Sequence, residues 1–150
     1  MELKHSQVRR IVLDEHNALR RQLRDIGETL EDVANDRPGS GETLVAQWLG
    51  FAFSFLEHVQ HEETLLRPVL EDIDAWAQVR VDRMDEDHAQ QRSRVRELMQ
   101  TLASNPLEGC DDLREFLDEL AVDMDEEERL NLGEELMRDE VLPYSGGFSG

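Results

Sequence analysis

At 150 residues the chain has the size of one ordinary domain, long enough to bury well over half of the surface its unfolded form exposes. Its 35 acidic residues against 16 Lys and Arg give a formal net charge of −19, which argues against a nucleic-acid partner, since phosphate binding draws on clustered basic side chains, and makes cations the natural partners. Nine Gly and four Pro are few for a turn-rich β fold, so the composition favours helix.

In the first segment, apolar residues at Val8, Val12, Leu19, Leu23, Ile26, Leu30 and Val33 follow alternating steps of three and four, provided position 16 belongs to the series. Position 16 is His16. The stretch from Asn35 to Gly41, with Pro38 and two glycines, breaks this helix, and Ser40 is placed to cap the next one.

A second stripe runs through Leu44, Trp48, Phe51 and Phe55, then positions 58 and 62, then Leu65 and Val69. The interrupting residues are His58 and Glu62, four apart and therefore on one helix face. Trp48, Phe51 and Phe55 read as plain core. Pro68 is expected to end or kink this helix, because proline removes a backbone donor and clashes with the preceding turn.

The third stripe, Ala77, Val81, Met84, position 88, Gln91, Val95, Leu98 and Leu102, is interrupted by His88. Asn105-Pro106 and Gly109 are expected to form a loop, with Asp111 or Asp112 capping a fourth helix through Leu113, Phe116, Leu120, Leu130, Met137 and Val141. Asp123 and Glu127 interrupt that last stripe. Four such segments on short links predict an all-α, antiparallel up-down-up-down four-helix bundle over residues 1–143, followed by a glycine-rich tail, 144–150.

Antiparallel packing brings every interruption to one layer, and burying imidazoles and carboxylates together is costly unless they pair or coordinate. A metal between His16, His58, Glu62, His88, Asp123 and Glu127 is the economical account. Mixed nitrogen and oxygen donors suit iron, manganese or zinc. Glu119, Glu126 and Glu134 crowd the fourth helix beside Asp123 and Glu127, whose choice rests on stripe phase. His61 reads first as a surface residue, and otherwise as a partner behind a ligand or an alternative ligand; Glu15 reads as either surface or site. The halves also echo each other: Asp14-Glu-His16 resembles Glu86-Asp-His88, and His58 with Glu62 can be set over Asp123 with Glu127.

The single cysteine, Cys110, rules out an internal disulfide and a multi-thiolate zinc site. The opening Met1-Glu-Leu-Lys-His5 lacks the basic region and apolar run of a signal peptide, and no stretch approaches about 18 apolar residues. A cytoplasmic protein without a membrane partner is expected.

From His16 to about Pro143 the chain resembles the hemerythrin family with its cation-binding repeats. The run Phe55-Leu-Glu-His58-Val-Gln-His-Glu62-Glu-Thr-Leu-Leu-Arg-Pro68 is similar to the family's second-helix signature, and His16 and His88 stand at the first- and third-helix places. The oxygen carriers of the family pair histidines on the third helix and place another on the fourth; here Met84 and Asp123 stand at those positions, and Glu127 replaces the partner carboxylate. The resemblance implies two irons per chain, with zinc or manganese as alternatives, and a protein that binds or senses oxygen, nitric oxide, peroxide or iron. Its shift toward oxygen donors equally suits a di-iron oxidase or peroxidase. A bundle with a degenerate metal site and a protein partner is the reading from outside metal chemistry.

Overall fold

The computed structural model describes residues 2–139, and the expected tail, 144–150, lies outside them. Helix α1 spans His5–Ala34, α2 Ser40–His61, α3 Arg67–Ile73, α4 Ala77–Ser104 and α5 Pro106–Asn131, and no strand occurs among the described residues. Helix α1 packs on α2 and α5, and α4 packs on α2 and α5, which is the closed ring of an up-down-up-down bundle. No helix among the described residues is long and apolar enough to cross a membrane.

Three local expectations are corrected. Gly39, at φ +78°, starts α2 in the left-handed conformation that glycine adopts without strain; Ser40 is already helical and its hydroxyl donates to the Arg37 carbonyl at 2.7 Å instead of capping. For Pro68, expected to end or kink the second helix, only the ending is corrected. The chain widens into a π-turn over Glu62–Leu66 and continues as α3 to Ile73, because the wider turn relieves the proline's missing donor and its clash with the preceding turn.

The third correction concerns Asn105 and Pro106. They are a helix start: the Asn105 side chain accepts from the backbone N–H groups of Leu107 at 3.2 Å and Glu108 at 3.4 Å, and Pro106 sits in the first turn, where its missing N–H is no loss. Asp111 and Asp112 are therefore inside α5. That helix ends at Asn131, short of the expected Val141, and Met137 is buried in the turn beyond it. Val141 lies outside the described residues.

The interior consists of two apolar clusters with a polar layer between them. The larger holds Leu19, Ile26, Leu30, Trp48, Phe51, Phe55, Leu98, Leu113, Phe116 and Leu120; Phe116 meets Trp48 and Phe55 edge-on, while Phe51 stacks on Phe55. The smaller holds Val8, Val12, Leu66, Leu70, Val81, Met84, Leu132 and Met137. On every long helix the stripe passes from one cluster to the other through the polar positions: 16 on α1, 58 and 62 on α2 and its extension, 88 on α4 and 127 on α5. His16, His58, Glu62 and His88 are all buried there.

Candidate metal centre

Four of the six expected residues converge. One ligand atom from each of His16, His58, Glu62 and Glu127 lies within 4.8 Å of all the others. His16 Nε2 is 3.0 Å from Glu127 Oε1 and 3.6 Å from Glu62 Oε2, which in turn is 3.3 Å from His58 Nε2. The two imidazoles meet edge to face, with centroids 4.8 Å apart. His88 stands at the rim of this group, its Nε2 2.9 Å from Glu62 Oε1. Asp123 lines the same layer but lies outside that group of four, accepting from the Gln91 amide at 3.1 Å. Of the other fourth-helix acids, Glu119 pairs with Arg94, Glu126 with Arg83 and Glu134 with Arg9, all away from the layer.

Outside these residues stands a second ring of carboxylates, of which the sequence left Glu15 open and did not single out Glu63 and Glu128. Glu15 lies 2.7 Å from His58 Nδ1, Glu128 2.7 Å from His16 Nδ1 and Glu63 3.0 Å from His88 Nδ1. A carboxylate accepts, so each Nδ1–H donates outward and fixes the tautomer. Each outer carboxylate is itself held: Glu15 by His61 at 2.6 Å, Glu128 by Arg20 at 2.8 Å and Glu63 by both amino groups of Arg92, at 2.7 and 2.8 Å. His61 is thus a half-exposed surface residue and also a neighbour of the site.

With Nδ1 committed, each neutral ring turns the lone pair of Nε2 toward Glu62 or Glu127, so an acceptor faces an acceptor. Something positive belongs between them, either protons or a metal ion. The Glu62 oxygen nearest His16 and His58, Oε2, is buried and accepts no hydrogen bond among the described residues. With the rings neutral and five carboxylates (Glu15, Glu62, Glu63, Glu127, Glu128) ionised, two guanidiniums leave a deficit that protons on the rings, or one or two divalent cations in their place, would offset. The donor set therefore fits a metal.

The electrostatics agree. Burial alone would push His16 and His58 down, but the nearby carboxylates of Glu127 and Glu62 raise His16 to about 10, and those of Glu15 and Glu62 raise His58 to about 9. Burial and the charge of Glu62 drive Glu127 upward, while Glu62, despite its burial, is held well below the usual carboxylate range by Glu127 and the three rings. Arg92, with His88, holds Glu63 at about 2. The site favours cations in any form that can enter it.

Phe55, Leu120, Met84 and Met124 wall the layer. On one side it opens: a cleft of about 210 Å³ between α4 and α5, lined by Trp76, Arg83, Asp87 and Asp123, reaches Met84 and Glu127.

No curated protein and no solved structure matches the chain significantly. The model of the hemerythrin HHE cation-binding domain matches residues 7–133, a span that takes in all of the bundle but the first two residues of α1, and every member of the polar layer. The chain belongs to the hemerythrin HHE cation-binding family.

Proposed function

We propose that this chain is a non-haem iron protein, holding two irons in the polar layer, that binds or senses a small ligand: oxygen, nitric oxide, peroxide or iron itself. His16, His58, Glu62 and Glu127 would hold the metal, with His88 and Asp123 serving the second position beside the cleft. The observation that carries this reading is the orientation of the three rings, each tied outward at Nδ1 and presenting Nε2 to buried carboxylates. Bound iron would supply an open coordination position and one-electron chemistry.

The chain's own residues do the rest. Glu15, Glu63 and Glu128 aim the rings, the apolar walls limit water, and the cleft between α4 and α5 gives a small ligand a route to the Glu127 side. The oxidase or peroxidase reading draws its support from the excess of carboxylates over imidazoles, which suits the higher oxidation state of the metal. It requires turnover with an electron donor.

Elemental analysis and the absorption spectrum of protein purified in air test the proposal. About two irons per chain with ferric absorption is expected, as in other carboxylate-bridged bundles. Metal should be lost from His58→Ala and Glu62→Ala proteins that retain their helix content. A wild-type protein without metal, and without affinity for ferrous iron, would leave the degenerate, partner-binding bundle as the better account.

A further inference from the structure

Helix α2 has two apolar faces. Its inner face carries the aromatic core. Between Glu42 and Glu57 the chain has no charged residue at all, in a protein of net charge −19, and the exposed positions of that stretch are Thr43, Ala46, Leu49, Gly50, Phe53 and Leu56. Phe53 is 72% exposed, Leu49 50% and Leu56 36%. A surface helix ordinarily turns a polar face to water. The other long helices do so, with Arg10, Asp14 and Arg21 outward on α1, Asp82, Glu86 and Arg96 on α4, and Asp118, Asp125 and Arg129 on α5.

The exposed residues also keep a seam. Ala46, Leu49, Phe53 and Leu56 follow steps of three, four and three, the spacing with which two helices interlock side chains over about 15 Å. Gly50 sits mid-helix, where glycine costs about 1 kcal/mol relative to alanine, yet a Cβ there would meet nothing within 4 Å of its own chain. No intramolecular contact asks for a glycine at that point, and its bare backbone leaves room for another helix to come close.

We propose that this face of α2 is the surface through which two copies of the chain pair, antiparallel about a two-fold axis near Gly50. Charge decides where a second copy can sit. Two molecules this acidic repel wherever their charged faces meet, and the α2 face is where they can approach without that repulsion. The surface is also self-complementary. Antiparallel pairing sets each Phe53 over the Leu49–Gly50 step and each Leu56 over Ala46, large against small, as an isologous contact requires. A basic partner would instead choose the acidic faces, and gains nothing here.

Sedimentation equilibrium of the full chain, from low- to high-micromolar concentration and at two salt levels, tests this. The mass is expected to rise from 17.4 kDa toward twice that value, and to rise at lower concentration when salt screens the repulsion. Phe53→Glu and Leu49→Glu should each weaken association at least tenfold with unchanged helix content. Leu107→Glu, which adds the same charge at an apolar residue 69% exposed on α5, should leave it intact. A monomer at every concentration and salt level would overturn the proposal, as would a dimer indifferent to both α2 substitutions.

Discussion

His58 donates its Nδ1–H to Glu15 at 2.7 Å, and that bond decides which nitrogen of the ring faces the interior. Glu15 belongs to α1 and His58 to α2, so the contact also ties the two helices at the level of the site. The same carboxylate accepts from His61 at 2.6 Å, and the hydrogen bonds and charge of both rings hold Glu15 below the usual range despite its partial burial. Replacing Glu15 by alanine frees the ring to rotate and to present either nitrogen. Metal affinity should fall about 10- to 100-fold, as it does when the carboxylate behind a metal-binding histidine is removed. Glu15→Gln, whose one carbonyl oxygen can still accept from His58, should recover part of the loss. Competition titration against a chelating dye measures both; equal affinity in all three proteins would show that Glu15 positions nothing.

Metal removal should destabilise the bundle. A cation bound only to the folded state stabilises it by RT ln(1 + [M]/Kd), about 2.7 kcal/mol at a hundredfold excess over Kd. For a chain of this size that corresponds to about 5–11 °C in melting temperature. Calorimetric scans with and without chelator give the number, and the shift should vanish in the His58→Ala protein. Identical melting curves for the wild type in both conditions would contradict a structural contribution from the metal.

The bundle was legible in the sequence because its helices are amphipathic, and His16, His58, Glu62, His88 and Glu127 were legible because they interrupt apolar stripes. Glu63 and Glu128 were not, and Glu15 was left between surface and site, since each lies one residue off the stripe, about 100° around the helix. The signal was the doublets Glu15-His16, Glu62-Glu63 and Glu127-Glu128: a residue next to an inward one faces the neighbouring helix, here the one carrying a histidine. Stripe phase also favoured Asp123, whose side chain turns to Gln91. Asn105-Pro106 failed as a loop because a cap followed by proline marks a helix start as readily as a break.

An acid-sensitive brace lies at the α3–α4 corner. Asp74 accepts from Arg80 Nη2 at 3.0 Å and from the Trp76 N–H at 2.9 Å, while Arg80 also donates to the Leu130 carbonyl and to Asn131 Oδ1, binding the corner to the end of α5. The Arg80 guanidinium holds the Asp74 carboxyl below its ordinary value. A carboxylate depressed in the folded state stabilises it above the unfolded pKa, and the contribution is lost as pH falls through the folded value. Asp74→Asn should therefore lower stability by up to about 1 kcal/mol at neutral pH, the group being largely solvated. The gap between variant and wild type should close below about pH 4. Urea midpoints across the acid range decide it; a gap that stays constant down to the lowest pH would mean the carboxylate's charge is immaterial.

The far end of the bundle should be separable from the site. Gly109, in the first turns of α5, faces α4 so closely that a Cβ would stand 2.7 Å from Leu102 Cδ2 and 3.3 Å from Thr101 Cγ2. Leu102 is itself buried in the large apolar cluster and has little room to yield. Gly109→Val must push α4 and α5 apart or force Leu102 off its rotamer, at about 1–3 kcal/mol, which exceeds the few tenths gained in helix propensity. Leu102 lies 14 residues from His88 on α4, about 21 Å along the axis, with a closely packed apolar cluster between. Stability should drop while metal affinity per folded molecule stays within about twofold, since distant sites act independently. Parallel urea denaturation and metal titration of Gly109→Val would show this, and a matching loss of affinity would mean that the α4–α5 spacing at the hairpin is transmitted to the polar layer.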